Sequence, residues 1–412
     1  MQIAVIGVGK LGLCTAVCLA SAGYKVVGLD NRQAHVDALV SGKAPFFEKD
    51  LDIYLETYRD ALTFTTRPDE AIVESDVSFI IVPTPSGADG AFSNRFVLAV
   101  LNDIAPTLKA RTAYHVVNIV STVMPGTCRD VFAPYIEAVA GKRVGEEIGL
   151  TYNPEFIAIG SVIRDFLNPD VVLIGESDER SGAIIDEIYR RTCTNRPYIT
   201  RTSLINAEIA KLSINCYCTM KISFANNLGN ICSRVNGADA GQICEIIGHD
   251  SRIGGKYIKP GLGFGGPCFP RDNEAFTHFL NHAGGAPILQ RAVVDINRRQ
   301  IDLAVNMIAR AAGEYGNRVA LLGMAYKPNT YLTERSQSLD IARRLAEKHP
   351  ALDLRVYDPM AYCDGDWTIA ESLEACVVDA HVAAILTPWP EFFDVRWKSI
   401  LHSRHTILNF WE

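Results

Sequence analysis

"MQIAVIGVGKLGLCTAVCLASAGYKVVGLD", residues 1–30, reads as strand, glycine turn, helix, second strand and acid. Gly7, Gly9 and Gly12 form GxGxxG directly after an apolar run and directly before a helical pattern, and Asp30 closes the next strand. Gly7 permits the tight turn, Gly9 lets the backbone approach a pyrophosphate, and Gly12 allows close helix–strand packing. The helix N-terminus favours the phosphate charge. The bare pattern is weak evidence, but in this strand–turn–helix–strand–acid context it specifies a dinucleotide site. Asp30 would hold the adenosine ribose hydroxyls and repel a 2′-phosphate, so NAD is expected rather than NADP. Arg32 sits close enough to blur that preference, and otherwise reads as a solvated surface residue.

The alternation continues. "DVSFIIVPTP" (76–85) and "YHVVNIVSTVMPGT" (114–127) are further strands separated by helical patterns, as in a parallel doubly wound sheet. Ligands of such sheets sit beyond the carboxyl ends of the strands, which is where Thr84 and Thr122 fall. Turn chemistry and a ligand contact both suit a threonine at that point.

The chain has 412 residues, too many for one ordinary core, so two or three domains are expected. Its hydrophobic fraction of 48% and charged fraction of 21% are those of a globular protein. A net charge of −7 argues against nucleic acid or an anionic membrane as partner, while leaving room for an anionic small substrate. No apolar stretch approaches the ~18 residues of a membrane span, and no cleavable leader is visible, so a cytoplasmic location is expected. Eleven cysteines without a CxxC pair fit reduced thiols, and no His/Cys spacing suggests a metal.

Residues 203–235 contain no proline and repeat apolar residues at helical spacing, which predicts one helix of ~30 residues spanning ~45 Å. A helix so long joins domains or forms a dimer interface. Lys211 and Asn215, at i and i+4, share one of its faces. They form either a solvated polar stripe or a pair able to hold a developing oxyanion or a sugar hydroxyl. Beyond it, "NRVALLGMAYKPNT" (317–330), "LRVYDP" (354–359), "HVAAILTPWPEF" (381–392) and "HTILNFW" (405–411) are strands of a second doubly wound sheet without GxGxxG. That sheet should bind something other than a dinucleotide. Lys327, just past a strand end, suits a phosphate or carboxylate as well as it suits plain solvent.

"GLGFGGPCFPRD" (261–272) places Cys268 among four glycines and two prolines. It is either a small buried hydrophobe or a nucleophile presented to substrate, with Arg271 and Asp272 handling charge.

Taken together, "GVGKLG", "VPTP", "STVMPGT", "NPEF", "AKLSINCYCTMKISFANN", "DSRIG", "GFGGPCFPRD", "GMAYKPNT" and "VYDP" resemble the UDP-glucose/GDP-mannose dehydrogenase family along nearly the whole chain. The resemblance implies an α/β fold of two doubly wound Rossmann-like domains joined by a long central helix. It divides into an NAD-binding domain (1–198), a central helical dimerisation region with the cysteine loop (199–300), and a nucleotide-sugar-binding domain (301–412). It implies a four-electron oxidation of a nucleotide sugar, UDP-glucose first, by a homodimer using NAD. Another nucleotide sugar (GDP-mannose or a UDP-N-acetylhexosamine) is the alternative within the class, and a silent nucleotide-sugar or NAD sensor the alternative outside it. A two-domain 3-hydroxyacid dehydrogenase would share the first domain but would need neither the cysteine loop nor the second sheet.

By resemblance, Cys268 captures the aldehyde and forms the thioester, with Lys211, Asn215 and Asp272 beside it. Glu155 and Thr122 handle the hydrolytic water. Gly7, Gly9, Lys10, Leu11, Gly12, Asp30, Thr84, Thr122 and Arg335 are expected at the cofactor. Glu155, Phe156, Ile157, Lys211, Asn215, Tyr257, Phe264, Gly265 and Lys327 are expected at the substrate, together with Arg252 reaching across a subunit boundary. The chain departs from the family pattern at Ile159 (a second acid), Val171 (an arginine), Asn227 (a glutamate), Pro267 (a serine) and in "YLTERS" after the "KPNT" block. Those changes leave the sugar and base open.

Overall fold

The computed structural model describes residues 1–157, 160–395, 397 and 400–411, so the departure at Ile159 lies outside the described residues. The chain divides into two units, Met1–Leu212 and Ser213–Glu412.

The first unit is built on eight strands: β1 (Gln2–Ile6), β2 (Lys25–Leu29), β3 (Leu62–Thr65), β4 (Val77–Ile80), β5 (His115–Ile119), β6 (Ile148–Tyr152), β7 (Val171–Glu176) and β8 (Tyr198–Ser203). Their spatial order is β3-β2-β1-β4-β5-β6-β7-β8. The strands read as continuous apolar runs because both faces are covered. In β1, Ile3 and Val5 enter one core cluster with the helix Lys10–Ser21, while Ala4 and Ile6 enter the opposite cluster with the helix Arg95–Ala110.

The expectation of an all-parallel sheet needs one correction. β6 and β7 pair antiparallel, through Thr151 with Glu176 and Tyr152 with Gly175. Among the described residues the connection between them carries the short helix Val162–Leu167. It does not return the chain to the opposite edge of the sheet, so β7 starts from the edge where β6 ends. β7 and β8 then run parallel.

The predicted long helix is present as Leu204–Cys232, 29 residues, beginning in the first unit and ending in the second. The second unit adds the helices Ala240–His249, Phe269–His282 and Ile288–Tyr315. Its sheet comprises β9 (Arg318–Leu322), β10 (Asp353–Tyr357), β11 (Thr368–Ile369), β12 (Val382–Ile385) and β13 (Thr406–Asn409). All pairs are parallel, in the order β11-β10-β9-β12-β13. Here too the strands are buried on both faces: Val319 and Leu321 of β9 join one cluster, Ala320 and Leu322 the other. Both doubly wound sheets and the central helix are thus as expected. Among the described residues no helix is long and apolar enough to cross a membrane.

Candidate active site

Each glycine of the first turn meets a distinct constraint. Gly7 adopts φ +92°, and a Cβ there would lie 2.4 Å from the carbonyl oxygen of Ile81. A Cβ on Gly12 would lie 2.0 Å from the Gly7 oxygen, so the first turn of the helix can press on the strand only as glycine. Gly9 has nothing within 4 Å of the equivalent position. It caps the helix that continues with Lys10 and Leu11, leaving open backbone at a helix N-terminus. Asp30 is buried at the end of β2, and its Oδ1 accepts from both the backbone N–H and Nε of Arg32, each at 3.1 Å. Arg32 thus lies against that carboxylate, while most of its side chain stays exposed. An open glycine cradle and a strand-end carboxylate fit a dinucleotide lacking a 2′-phosphate.

At the neighbouring strand ends, hydroxyls stitch the backbone together. Thr84 Oγ1 donates to the carbonyl of Thr122 at 2.7 Å, and Ser121 Oγ donates to the Val82 carbonyl at 2.7 Å. The loop after Thr122 is held by Glu208, whose buried carboxylate accepts from the N–H groups of Gly126 (2.6 Å) and Cys128 (2.7 Å).

The "NPEF" loop leaves β6 with Asn153 anchored to the carbonyl of Leu173 at 3.0 Å. Glu155 is partly exposed as a residue, yet its carboxyl accepts a 2.5 Å hydrogen bond from the buried Tyr189 hydroxyl. Burial pushes Glu155 up to about 7, while the Tyr189 bond and the Lys211 charge pull the other way. Lys211 is buried, donates from Nζ to the Glu155 carbonyl oxygen at 2.6 Å and lies 4.6 Å over the Phe156 ring. A solvated stripe is thus excluded for Lys211. Ile157 packs on one core cluster and Phe156 on the other. Farther along, Glu48 secures the loop by accepting from Gly160 (3.1 Å) and Val162 (3.0 Å).

In the second unit Cys268 is exposed and stands at the N-cap of the helix Phe269–His282. Among the described residues Cys218 is half-buried and the other nine cysteines are buried. The loop before Cys268 presses on the second sheet's first connection: Gly266 adopts φ +81°, and a Cβ there would lie 2.5 Å from the Tyr326 ring. Burial, followed by the nearby Cys268, pushes Tyr326 up to about 12. Phe264 is buried and clamped by Asn297, which accepts from its N–H (2.8 Å) and donates to its carbonyl (2.9 Å). Asp272 is buried one turn into the helix and accepts from Asn215 Nδ2 at 2.6 Å. Asn273 and Thr219 bond at 3.0 Å farther along, so two polar links fix the cysteine helix on the long helix.

The remaining expected residues are placed as follows. Gly265 is backed by the Arg335 carbonyl and Gln337. Lys327 lies 5.8 Å over the Tyr326 ring. Arg335, expected at the cofactor, is held in a bidentate pair with Glu274 at 2.8 and 3.1 Å. Arg252 is exposed and pairs with Asp250 at 2.6 Å. Tyr257 takes φ +64° and meets Phe269 edge-on at 6.0 Å. Tyr189 and Glu208, on helices, and Glu48, in a loop, escaped the sequence reading, because nothing in the local pattern marks such a tyrosine or acid as buried against a distant loop.

Residues 1–193 match the NAD binding domain of the UDP-glucose/GDP-mannose dehydrogenase family, residues 205–299 its central domain, and residues 320–409 its UDP binding domain. The chain belongs to that family. It is an NAD-dependent oxidoreductase of nucleotide sugars. The UDP-glucose 6-dehydrogenase AglM of Haloferax volcanii is 35% identical over 402 residues, which cover 95% of this chain and 92% of that protein. The GDP-mannose 6-dehydrogenase of Pseudomonas aeruginosa is 32% identical over 362 residues, covering 87% and 81%. The solved UDP-glucose dehydrogenase of Pyrobaculum islandicum matches with a TM-score of 0.91 at 30% identity, covering 100% of this chain and 94% of that one. The UDP-D-ManNAc dehydrogenase of Pyrococcus horikoshii matches with 0.86 at 27%, covering 100% and 96%.

Proposed function

We propose that this enzyme oxidises the C6 hydroxyl of UDP-glucose to the carboxylate of UDP-glucuronate, through a thioester on Cys268. The observation that carries this reading is the placement of that thiol. It is exposed at a helix N-terminus, whose partial positive charge favours a thiolate, while among the other cysteines nine are buried and Cys218 is half-buried. NAD, when bound, would supply the hydride acceptor for each of two oxidations.

Loss of a proton from the C6 hydroxyl and of a hydride from C6 gives the aldehyde, to which Cys268 Sγ adds. The thiohemiacetal keeps a C–H from which a second hydride leaves, giving the thioester. Water then cleaves the C–S bond, returning the thiol and releasing the acid, with four electrons passed to two NAD. Lys211 stabilises the oxyanion of these steps, and Asn215, oriented by Asp272, hydrogen-bonds the substrate oxygen. Glu155 serves as the base for the hydrolytic water, a task suited to a carboxyl poised near neutrality, and Thr122 helps place that water. In the second unit Lys327, Tyr257, Phe264 and Gly265 bind the nucleotide sugar. UDP-glucose is preferred over GDP-mannose on the 35% and 32% relatives respectively and on the matched UDP binding domain.

The exposed apolar side chains Ile214, Tyr217, Phe224 and Ile231 recur at spacings of three and seven along the long helix, which supports a homodimer through that face, with Arg252 serving the neighbouring subunit. The test is to incubate the enzyme with NAD and a panel of UDP- and GDP-sugars. Two NADH and one acid per UDP-glucose are expected; one NADH with released aldehyde, or no turnover on any sugar nucleotide, overturns the reading.

A further inference from the structure

The second unit contains a cavity of about 180 Å³ whose lining includes Asn226, Tyr257, Lys259, Gly261, Gly263 and Trp411. Asn226 is fully buried on the long helix. Its Oδ1 accepts from the Gly261 N–H at 2.7 Å, which fixes the orientation of the amide. Nδ2 is then turned away from that bond, and among the described residues it meets no acceptor. A buried amide donor in this state is stabilised by any carbonyl oxygen that enters the cavity.

Trp411 forms the wall beside it. A Cβ on Gly261 would lie 2.8 Å from the indole, so glycine at 261 is what lets the ring lie on this backbone. The indole is anchored by Nε1, which donates to the Leu386 carbonyl at 3.2 Å, and by its own N–H, which donates to Asn409 Oδ1 at 3.1 Å. Tyr257 lines the same space, and Lys259 brings a cation to its exposed side. Two aromatic residues, one fixed donor and a cation suit a planar ring that carries a carbonyl and an anionic tail. Uracil offers two ring carbonyls to such a donor, on a single ring smaller than a purine's two and so suited to a cavity of this volume.

We propose that Trp411 and Asn226 are specificity-determining residues that read the uracil ring of the substrate: the indole stacks on the base and Asn226 Nδ2 donates to a ring carbonyl. The inference rests on the nucleotide-sugar reading above and adds to it the residues that choose the base.

Calorimetric titration of the full-length protein tests it, with UDP as the base-bearing probe and inorganic pyrophosphate as the probe without a base. Trp411→Ala should weaken UDP about tenfold, the scale of one lost base–aromatic stack, and leave pyrophosphate within about twofold. Trp411→Phe, which keeps a ring against Gly261, should restore most of the UDP affinity. Asn226→Asp keeps the acceptor for Gly261 while removing the donor, and should weaken UDP but not pyrophosphate. Unchanged UDP binding in Trp411→Ala, equal loss of both probes, or wild-type preference for GDP overturns the inference. If Trp411→Ala binds UDP normally while the wild type oxidises UDP-glucose, the inference falls and the proposed function stands. If UDP binds through Trp411 and no UDP-sugar is oxidised, the proposed function falls and this inference stands.

Discussion

Replacing Tyr189 by Phe should move the acid limb of the pH–rate profile upward while sparing the rate at high pH. The hydroxyl donates to Glu155 at 2.5 Å, a bond that favours the carboxylate over the neutral acid. Hydrogen bonds to charged groups contribute about 1.5–3 kcal/mol, and about 1.4 kcal/mol corresponds to one pH unit, so the limb should move by roughly one to two pH units. Burial already pushes Glu155 up to about 7, against 4.5 for an ordinary glutamate. Lys211, Asn153, Cys18 and Cys193 are the other polar or titratable groups around the pair. Lys211 still opposes the burial after the change, which limits how far the limb can move.

At pH 7 the variant should lose roughly 5- to 50-fold in kcat, because a base half ionised at pH 7 is about one-tenth ionised after a shift of one unit and about one-hundredth ionised after two. At pH 9 most of the loss should be recovered. The assay is NADH release under saturating UDP-glucose between pH 6 and 9.5. A loss by the same factor at every pH would mean that Tyr189 only supports the fold, and an unmoved limb would mean that Glu155 is not the base. Stability gives an independent reading. A carboxyl whose folded value lies above its unfolded one stabilises the fold below about 4.5 and loses that contribution as pH rises through about 7. Glu155→Gln should flatten the fall in melting temperature across that window.

Cys268→Ser should cut turnover at least about 100-fold while UDP-glucose binding persists, since a hydroxyl is nearly isosteric but far less nucleophilic at neutral pH; stopped-flow NADH traces and calorimetry check the two halves. Asp30→Ala should narrow the preference for NAD over NADP by about tenfold or more, because the carboxylate at the end of β2 no longer repels a 2′-phosphate and Arg32 is released toward it; the ratio of kcat/KM values reports it. The enzyme should elute in light scattering at twice the 45.2 kDa chain mass, and Phe224→Glu should convert it to monomer by placing a charge in the exposed apolar face of the long helix.

The sequence marks what is local. Gly7, Gly9, Gly12 and Asp30 fall within one strand–helix–strand unit, so their spacing carries their meaning, and the proline-free run after 203 announces the long helix for the same reason. What it hides is set by partners far along the chain. Tyr189 and Glu155 are 34 residues apart, Lys211 and Glu155 are 56 apart, and Asn215 and Asp272 are 57 apart. Periodicity cannot register such pairs. Glu208 shows the same blindness: within "NAEIAKL" it looks like a solvated helix position, yet it is fully buried with two backbone N–H groups on its carboxylate. The direction of β7 was hidden too, since pairing with β6 decides it and not the strand's own composition.

The cysteines show how burial completes what composition begins. Eleven thiols in a chain without CxxC pairs suggest a reduced protein but do not say which thiol reacts. Burial pushes the thiols of Cys14, Cys18, Cys128, Cys193, Cys216, Cys244, Cys363 and Cys376 up, so each holds its proton and stays inert near neutral pH. Cys268 differs because its flanking residues forbid the same fate. Gly266 must approach Tyr326 with no side chain between them, and the helix that follows is tied down through Asp272 and Asn273. With both sides of the loop fixed, the residue at the helix cap is left facing solvent. A side chain on Gly266 should therefore damage turnover as surely as loss of the thiol, by moving the sulfur without changing its chemistry.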